Sequence, residues 1–473
     1  MTGDWSIDPP ERSTNRARAP RSVAEGERWL LGLELFGMRF GLDRMRRLLT
    51  VLGAPQEHFA SIHVVGSNGK SSTTRLLAGV LVAEGLRAGA YLSPHLVSFA
   101  ERIRVQDADA TPEDLAAALH RARRAAEKVD RTLDEPDDRV TQFEALTAAG
   151  LDELARREVE VAVVEAGLGG RYDATNILDS RVTVLTTVGL EHTRWLGPTI
   201  RDVAREKLAV LRDGTHLVVG ADLHPEALEE ARAAARRAGA ALTVAPREPG
   251  EPGAQPIHLA ALGAFQRRNL ATALAAAEAF LGRPPRATAV REAAARTLVP
   301  GRFEIVEGRA TAGVEGRATA GEEGRATAGV EDAPPAPHGP TVVLDGAHNP
   351  AGTTALAESL PAFLISRGGH RLTLVISVLD DKDAAAMLQD LLPFCTAVVA
   401  TRTSNPRALP AATLASLTAQ LGGPPALVVP DPHTALATAK GLAGPGGTVL
   451  ATGSLYLLAD LKRPRGAPAG ATL

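Results

Sequence analysis

Short runs of consecutive apolar residues alternate with longer stretches in which apolar positions return every three or four residues, and the alternation persists along most of the chain. The runs at 62–65, 88–92, 161–164, 182–188 and 217–220 are nearly continuous rather than alternating, so they predict strands covered on both faces. Between them the spacing predicts helices over 74–84, 111–128, 141–157, 202–210 and 225–238, followed by an Ala-rich helix over 265–280. Thr111-Pro112-Glu113-Asp114 places a cap, a first-turn proline and two acids at the start of the second of these. Strand and helix in turn imply a parallel, doubly wound α/β sheet. A second alternating series over 303–458, with strands near Phe303, Val342, Leu374, Val398, Val428 and Val449, predicts a smaller α/β domain. The boundary is expected near Leu298, giving domains 23–298 and 299–465.

Two segments stand outside this pattern. Residues 1–22, rich in Pro, Arg, Ser and Asp, predict a disordered tail without the apolar core of a signal peptide. Three octads at 308–315, 316–323 and 324–331 read GRATAGVE, GRATAGEE and GRATAGVE. Such small-residue repeats cannot bury enough apolar area to fold, so 308–339 is expected to be a low-complexity insertion that loops out. The pattern over 23–52 is helical with a Gly-bounded apolar interruption, Phe36-Gly37-Met38-Arg39-Phe40-Gly41-Leu42, expected to pack.

Composition narrows the function classes. At 473 residues two domains are the natural prior, and no run approaches the ~20 apolar residues that span a bilayer. Without an export signal the expected location is cytoplasmic. A net charge of −3 and 3% aromatics argue against a nucleic-acid partner. The one cysteine, Cys395, lies in an apolar run and reads as core packing. Only six of the 52 basic residues are lysine, so a lysine that survives this bias marks chemistry that guanidinium cannot do; Lys70 and Lys207 are the candidates.

The candidate chemistry gathers at strand ends. The run 62–65 enters Gly66-Ser67-Asn68-Gly69-Lys70-Ser71-Ser72 and leaves as a helix, the layout of a shortened phosphate-binding loop. Backbone N–H groups and the helix's positive end would cradle a nucleoside triphosphate, Lys70 adds a cation, and Ser72 offers a hydroxyl to Mg²⁺. The first domain is thus expected to be P-loop NTPase-like and the second Rossmann-like. Ser93, Glu165 and His192 end further strands that open on the same sheet edge, where ligands of open α/β sheets gather. A carboxylate at the tip of a buried strand suits Mg²⁺. Lys207, on the next helix, would be repelled by a metal unless its amine is neutral or modified. Gln266 and Asn269 share one helical face.

These motifs, taken together and in order, resemble the folylpolyglutamate synthase and dihydrofolate synthase branch of the Mur ligase superfamily. The likeness rests on GSNGKSS, SPHL with Phe99-Ala100-Glu101-Arg102-Ile103, Phe143-Glu144, EAGLGGRYDATN, GLEHTRWLG with Arg205-Glu206-Lys207, PGR, DGAHNP, DDKD and TGSL. The resemblance implies ATP-dependent amide formation through an acyl phosphate: folate or dihydropteroate is activated and L-glutamate attacks. Ser67, Asn68, Gly69, Lys70, Ser71 and Ser72, with Asn269, Arg302 and Asp345, would bind ATP. Ser93, Glu165 and His192 match magnesium ligands, with two ions expected, and Lys207 matches the lysine that the family carbamylates. Lys70, Lys207 and His348 would act in catalysis. Thr141, Gln142, Phe143, Tyr172, Asp173 and Ala174 match stretches lining the pterin site, with Arg39, Phe40 and Gly41 as a looser candidate. The family's usual form is a monomer. Two departures from the family stand out: Ser71 replaces a usual Gly, and the octads separate Arg302 from Asp345. Competing readings are a cell-wall Mur ligase, a non-catalytic nucleotide-binding homologue, and a nucleotide switch, whose guanine-reading Asn-Lys-x-Asp element is missing from the sequence.

Overall fold

A computed structural model describes residues 22–33, 41–133, 138–250, 257–307, 339–369 and 372–465. The octads, the tail before Ser22, and Arg39 and Phe40 lie outside these residues. Ser22, assigned above to the tail, instead caps the first helix, its Oγ accepting from Glu25 N at 3.3 Å.

The first half forms an eight-stranded sheet from β1 (Ala60–Val65), β2 (Ala88–Tyr91), β3 (Ile103–Val105), β4 (Ala108–Asp109), β5 (Val161–Glu165), β6 (Val182–Leu185), β7 (His216–Val219) and β8 (Ala241–Val244). Their order is β4-β3-β2-β5-β1-β6-β7-β8. The six strands from β2 to β8 in that order are mutually parallel, while β3 and β4 add an antiparallel edge. The sequence pattern predicts no strand at this edge. Strands of three and two residues, one of them centred on Arg104, are too short to display a period.

The continuous apolar runs are explained by helices on both faces. Successive residues of one strand enter different cores: Ala162 and Val164 pack beneath one layer, Val161 and Val163 beneath the other. The first layer holds α1 (Val23–Leu31), α2 (Asp43–Leu52), α4 (Pro112–Asp130) and α5 (Gln142–Arg156). The second holds α3 (Lys70–Ala83), α9 (Ala264–Leu281) and α10 (Ala287–Arg296). The short α6 (Thr193–Leu196), α7 (Ile200–Leu208) and α8 (Pro225–Ala238) follow β6 and β7. Leu76, Leu77 and Leu81 of α3 are wholly buried, each contributing about 1.5–3 kcal/mol of transfer free energy, and this fixes the helix whose start carries Lys70.

The second half forms a six-stranded sheet from β9 (Glu304–Glu307), β10 (Thr341–Leu344), β11 (Leu372–Ile376), β12 (Cys395–Ala400), β13 (Ala426–Val428) and β14 (Thr448–Thr452), in the order β13-β12-β11-β14-β10-β9. All are parallel except β9. Cys395 packs against this core with its thiol pushed up to about 12 by burial. The molecule is thus a two-domain α/β protein. The lobes meet directly: Arg268 pairs with Glu358 at 2.8 Å, Ser359 Oγ accepts from Ala264 N at 3.0 Å, and Leu96 of the first lobe joins the apolar core of the second. No described helix is long and apolar enough to cross a membrane.

Candidate active site

Three neighbouring strands, β5, β1 and β6, deliver their carboxyl ends to one place. The turn after β1 is shaped by crowding. Gly66 has φ +151 and a Cβ there would stand 1.9 Å from Thr186 Oγ1; Gly69 has φ +84 and its Cβ would stand 2.6 Å from Asn269 Oδ1. Only glycine fits either position without displacing its neighbour. The loop is pinned from β6's extension: Thr187 O accepts from Ser67 N at 2.8 Å, Thr187 Oγ1 from Asn68 N at 2.9 Å, and Thr186 Oγ1 donates to Asn68 O at 2.7 Å. Lys70 opens α3 and its Nζ donates to Gly66 O at 3.0 Å and Ser67 O at 3.2 Å.

Glu165 ends β5 beside Val64 and is 1% exposed. Its Oε1 accepts from Ser71 Oγ at 2.9 Å and its Oε2 from Ser93 N at 3.0 Å. Burial raises its pKa, opposed by Lys70, the two hydrogen bonds and Arg302. The hydroxyl on this carboxylate is therefore Ser71's, whereas Ser72, the hydroxyl named from sequence, is buried on the next helical position. Ser93 Oγ accepts from Arg102 Nη1 at 3.3 Å. His192 follows β6 in a left-handed conformation, φ +47. Partial desolvation and then Lys382 of the second lobe lower its pKa. Among the described residues no hydrogen bond joins His192 to Ser93 or Glu165, and no three His, Cys, Asp or Glu side chains cluster as a metal site.

Lys207 is 1% exposed on α7, and its Nζ donates to Gly66 O and to Glu191 Oε1, each at 2.8 Å. The sequence left this lysine without a partner; Glu191 is that partner. The two groups respond oppositely. Burial lowers the Lys207 pKa, with Lys70 adding to it, against the pull of Glu191. Burial alone would raise Glu191, but Lys207, Lys70 and hydrogen bonds from Lys207 and Ser67 outweigh it and hold the carboxyl at about 2. Glu191 carries in the sequence the same signal as Glu165, a carboxylate just past a buried strand.

The second lobe faces this edge with the turn after β10. Asp345 is 3% exposed and caps two backbone groups, accepting from Phe303 N and Ala347 N, each at 2.8 Å. Burial raises its pKa against the pull of Arg302. Arg302 Nη1 donates to Gly346 O at 3.1 Å. His348 Nδ1 lies 2.8 Å from the same carbonyl, which only accepts, so Nδ1 carries the proton and Nε2 is the free acceptor. Burial and then Arg302 push this imidazole down to about 4, leaving it neutral at pH 7. Asn349 and Asn68 exchange amide hydrogen bonds across the cleft at 3.1 and 3.3 Å, tying the glycine loop to the second lobe.

Asn349 also caps α11 (Pro350–Ser366), its Oδ1 accepting from Gly352 N at 2.8 Å. Asn349→Ala should lower stability by about 1–2 kcal/mol in chemical denaturation, and Asn349→Ser, which still caps, should recover most of it. Equal loss in both variants would move the effect from the cap to the cleft.

The expected pterin-lining residues are placed differently from one another. Thr141 and Glu144 form a reciprocal cap on α5, Gln142 Nε2 donates to Leu30 O at 3.1 Å, and Asp173 accepts from Leu168 N and Thr175 N at 2.8 and 3.0 Å. These polar groups are engaged within the fold, and Ala174 is buried. Phe143 packs its ring on Gly167, Tyr172 is 49% exposed, and Gly41 has φ +143 with open space about it. Asn269 Nδ2 donates to Gln266 Oε1 at 3.0 Å, which aims the Asn269 amide at Gly69.

The site thus sets a glycine loop with a lysine, a buried carboxylate and a paired lysine on one lobe against Arg302 and His348 from a second α/β lobe. Residues 333–455 match the family model described as Mur ligase, glutamate ligase domain. The chain is 29% identical over 460 residues to a dihydrofolate synthase/folylpolyglutamate synthase of Bacillus subtilis, covering 92% of this chain and 97% of that protein. It is 32% identical over 423 residues to one of Mycobacterium tuberculosis, covering 81% and 78%. The fold is similar to that of Mycobacterium tuberculosis folylpolyglutamate synthase complexed with ADP, with TM-score 0.79, 29% identity and coverage of 93% and 98%. It is likewise similar to Escherichia coli FolC in complex with DHPP and ADP, with TM-score 0.73, 28% identity and coverage of 93% and 96%. The chain belongs to the folylpolyglutamate synthase/dihydrofolate synthase family.

Proposed function

We propose that this chain uses ATP to join L-glutamate to folate, and to dihydropteroate to give dihydrofolate, through an acyl phosphate. The observation that carries the reading is the convergence of Lys70, Glu165 and the Lys207–Glu191 pair at the ends of three adjacent strands, opposite Arg302 and His348. An acceptor carboxylate oxygen attacks the γ-phosphorus, the bond to the β–γ bridging oxygen breaks, and ADP leaves. The glutamate amine then attacks the acyl carbon, the C–N bond forms, the acyl C–O bond breaks, and inorganic phosphate departs as the amine sheds its proton. Lys70 and Arg302 supply charge to the transferring phosphoryl group, which needs positioning and electrostatic support more than covalent help. Neutral His348 offers Nε2 as an acceptor beside Arg302. Since Arg302 and His348 come from the second lobe, closure of the cleft completes the site.

The oxygen donors fit a hard cation. Glu165 is buried with only neutral hydrogen bonds on its oxygens, and Mg²⁺ is usually held by one or two carboxylates together with substrate phosphates, so a three-residue cluster is not required. Ser93, Glu165 and His192 would hold the first of two ions, which would neutralise charge on the triphosphate. Lys207 is proposed to be carbamylated: its lowered pKa favours the neutral amine that adds CO₂ with loss of a proton. The resulting anion would repel Glu191, so modification would break the present pair. The enzyme is expected to act as a monomer on small molecules.

The test is phosphate release by purified protein given Mg-ATP, tetrahydrofolate and L-glutamate, repeated with dihydropteroate as acceptor. Turnover that requires acceptor and glutamate together supports the reading, and no acceptor-dependent turnover rejects it.

A further inference from the structure

One buried cation has no role in the account so far. Arg75 lies on α3 one turn beyond Ser71, on the same face of the helix, and is only 7% exposed. Among the described residues its guanidinium makes no hydrogen bond and no ion pair. The carboxylates near it are committed elsewhere. Glu101 accepts from the backbone N–H groups of Leu96, Val97 and Ser98 at 2.9, 2.7 and 2.8 Å. Asp109 pairs with Arg104, and Glu165 holds Ser71 and Ser93. The guanidinium nitrogens, with no protein partner, face open space, so their five donors must be met by water or by a ligand that enters it.

Arg75 borders a cavity of about 30 Å³ between the lobes, lined also by Ser71, His95, Glu101, Arg302 and Leu455. That is roughly twice the room one water needs, enough for a carboxylate group. His95 Nδ1 accepts from Arg102 Nε at 3.0 Å, so the neutral ring carries its proton on Nε2 and adds a donor beside the two guanidinium groups. The cavity reaches Ser71, whose hydroxyl touches Glu165, and therefore adjoins the reacting centre.

We propose that this cavity is a carboxylate subsite in which Arg75 takes one carboxylate of a glutamyl substrate by a bidentate contact, one helical turn from the Ser71–Glu165 pair. The inference rests on the ligase reading and adds a residue that reads the substrate's charge. The carboxylate has two possible sources, the incoming L-glutamate or the glutamyl tail of the folate acceptor, and kinetics separates them.

Arg75→Met keeps the apolar stem and removes the fork, and Arg75→Lys keeps the charge without the fork. Losing a charge-assisted, two-pronged contact should raise one KM about 10- to 100-fold in Arg75→Met, and less in Arg75→Lys, with the effect on KM rather than kcat and the KM for ATP within about threefold. A rise in the KM for L-glutamate assigns the free amino acid, and a rise for folate alone assigns the acceptor tail. The Tm of Arg75→Met should be unchanged or higher, because an unpaired buried charge is gone. Should Arg75→Met fail to fold, Arg75→Lys carries the same comparison. Unchanged KM values for both substrates in the folded variant overturn the proposal. A wild-type protein without acceptor-dependent turnover would fail the ligase reading instead. The subsite would then be tested by binding: L-glutamate at millimolar concentration should raise the Tm of wild type and not of the Arg75 variant, and no difference between the two overturns it.

Discussion

Lys70→Ala should lower kcat for acceptor-dependent phosphate release by about 10²- to 10³-fold or more, a loss of roughly 3–4 kcal/mol of transition-state stabilisation. The lysine opens a helix anchored by the buried Leu76, Leu77 and Leu81, and its Nζ donates to the loop carbonyls of Gly66 and Ser67, so the variant should keep its fold. Its charge also bears on Glu165 and Glu191, both of which it helps to hold ionised. Removing it should therefore raise both carboxyl pKa values, and the residual activity should lose its acid limb at a higher pH than in wild type. Full activity in Lys70→Ala would remove the glycine loop from phosphoryl transfer.

In the unmodified state, where Lys207 pairs with Glu191, Lys207→Ala should damage stability as well as rate. A buried ion pair contributes little net stability, since desolvation offsets attraction, but removing one partner leaves an uncompensated buried charge and costs about 3–5 kcal/mol. Here the orphan is Glu191, with a side chain only 10% exposed. The sign of the pH dependence follows. Glu191 is depressed in the folded protein to about 2, so its contribution is present above its ordinary carboxyl range and is lost as pH falls toward 2. In Lys207→Ala that pull is gone, the carboxyl titrates higher, and the acid-side loss of stability attributable to Glu191 should shrink. Denaturation curves at pH 7 and pH 3 for both proteins check this. If Lys207 works as a carbamate, activity should recover partly on adding a short-chain carboxylate. Activity equal to wild type without additive would take Lys207 out of the mechanism.

Much of the architecture was legible because its strands are apolar on both faces. Val64 and Val65 enter opposite cores, so β1 appears in sequence as an unbroken apolar run, and glycines at its end announce the turn. The antiparallel edge β3–β4 was not legible, being too short to repeat a pattern. At the site, single residues at strand ends were visible, and pairings were not. Lys207 stood out through its rarity, yet its salt bridge to Glu191 spans 16 positions and depends on how α7 returns across β6. Asn68 and Asn349 are 281 positions apart, and nothing local in either motif says that the two amides meet. Nothing local marks Arg75 in the sequence; its burial beside the second lobe is a tertiary fact.

The most direct test of the chemistry uses folate whose terminal carboxylate oxygens carry ¹⁸O, incubated with enzyme, Mg-ATP and L-glutamate. Transfer of the γ-phosphoryl group to that carboxylate, followed by amine attack on carbon, delivers one ¹⁸O to each inorganic phosphate released. Phosphate free of ¹⁸O, formed at the rate of glutamate incorporation, would contradict the acyl-phosphate route.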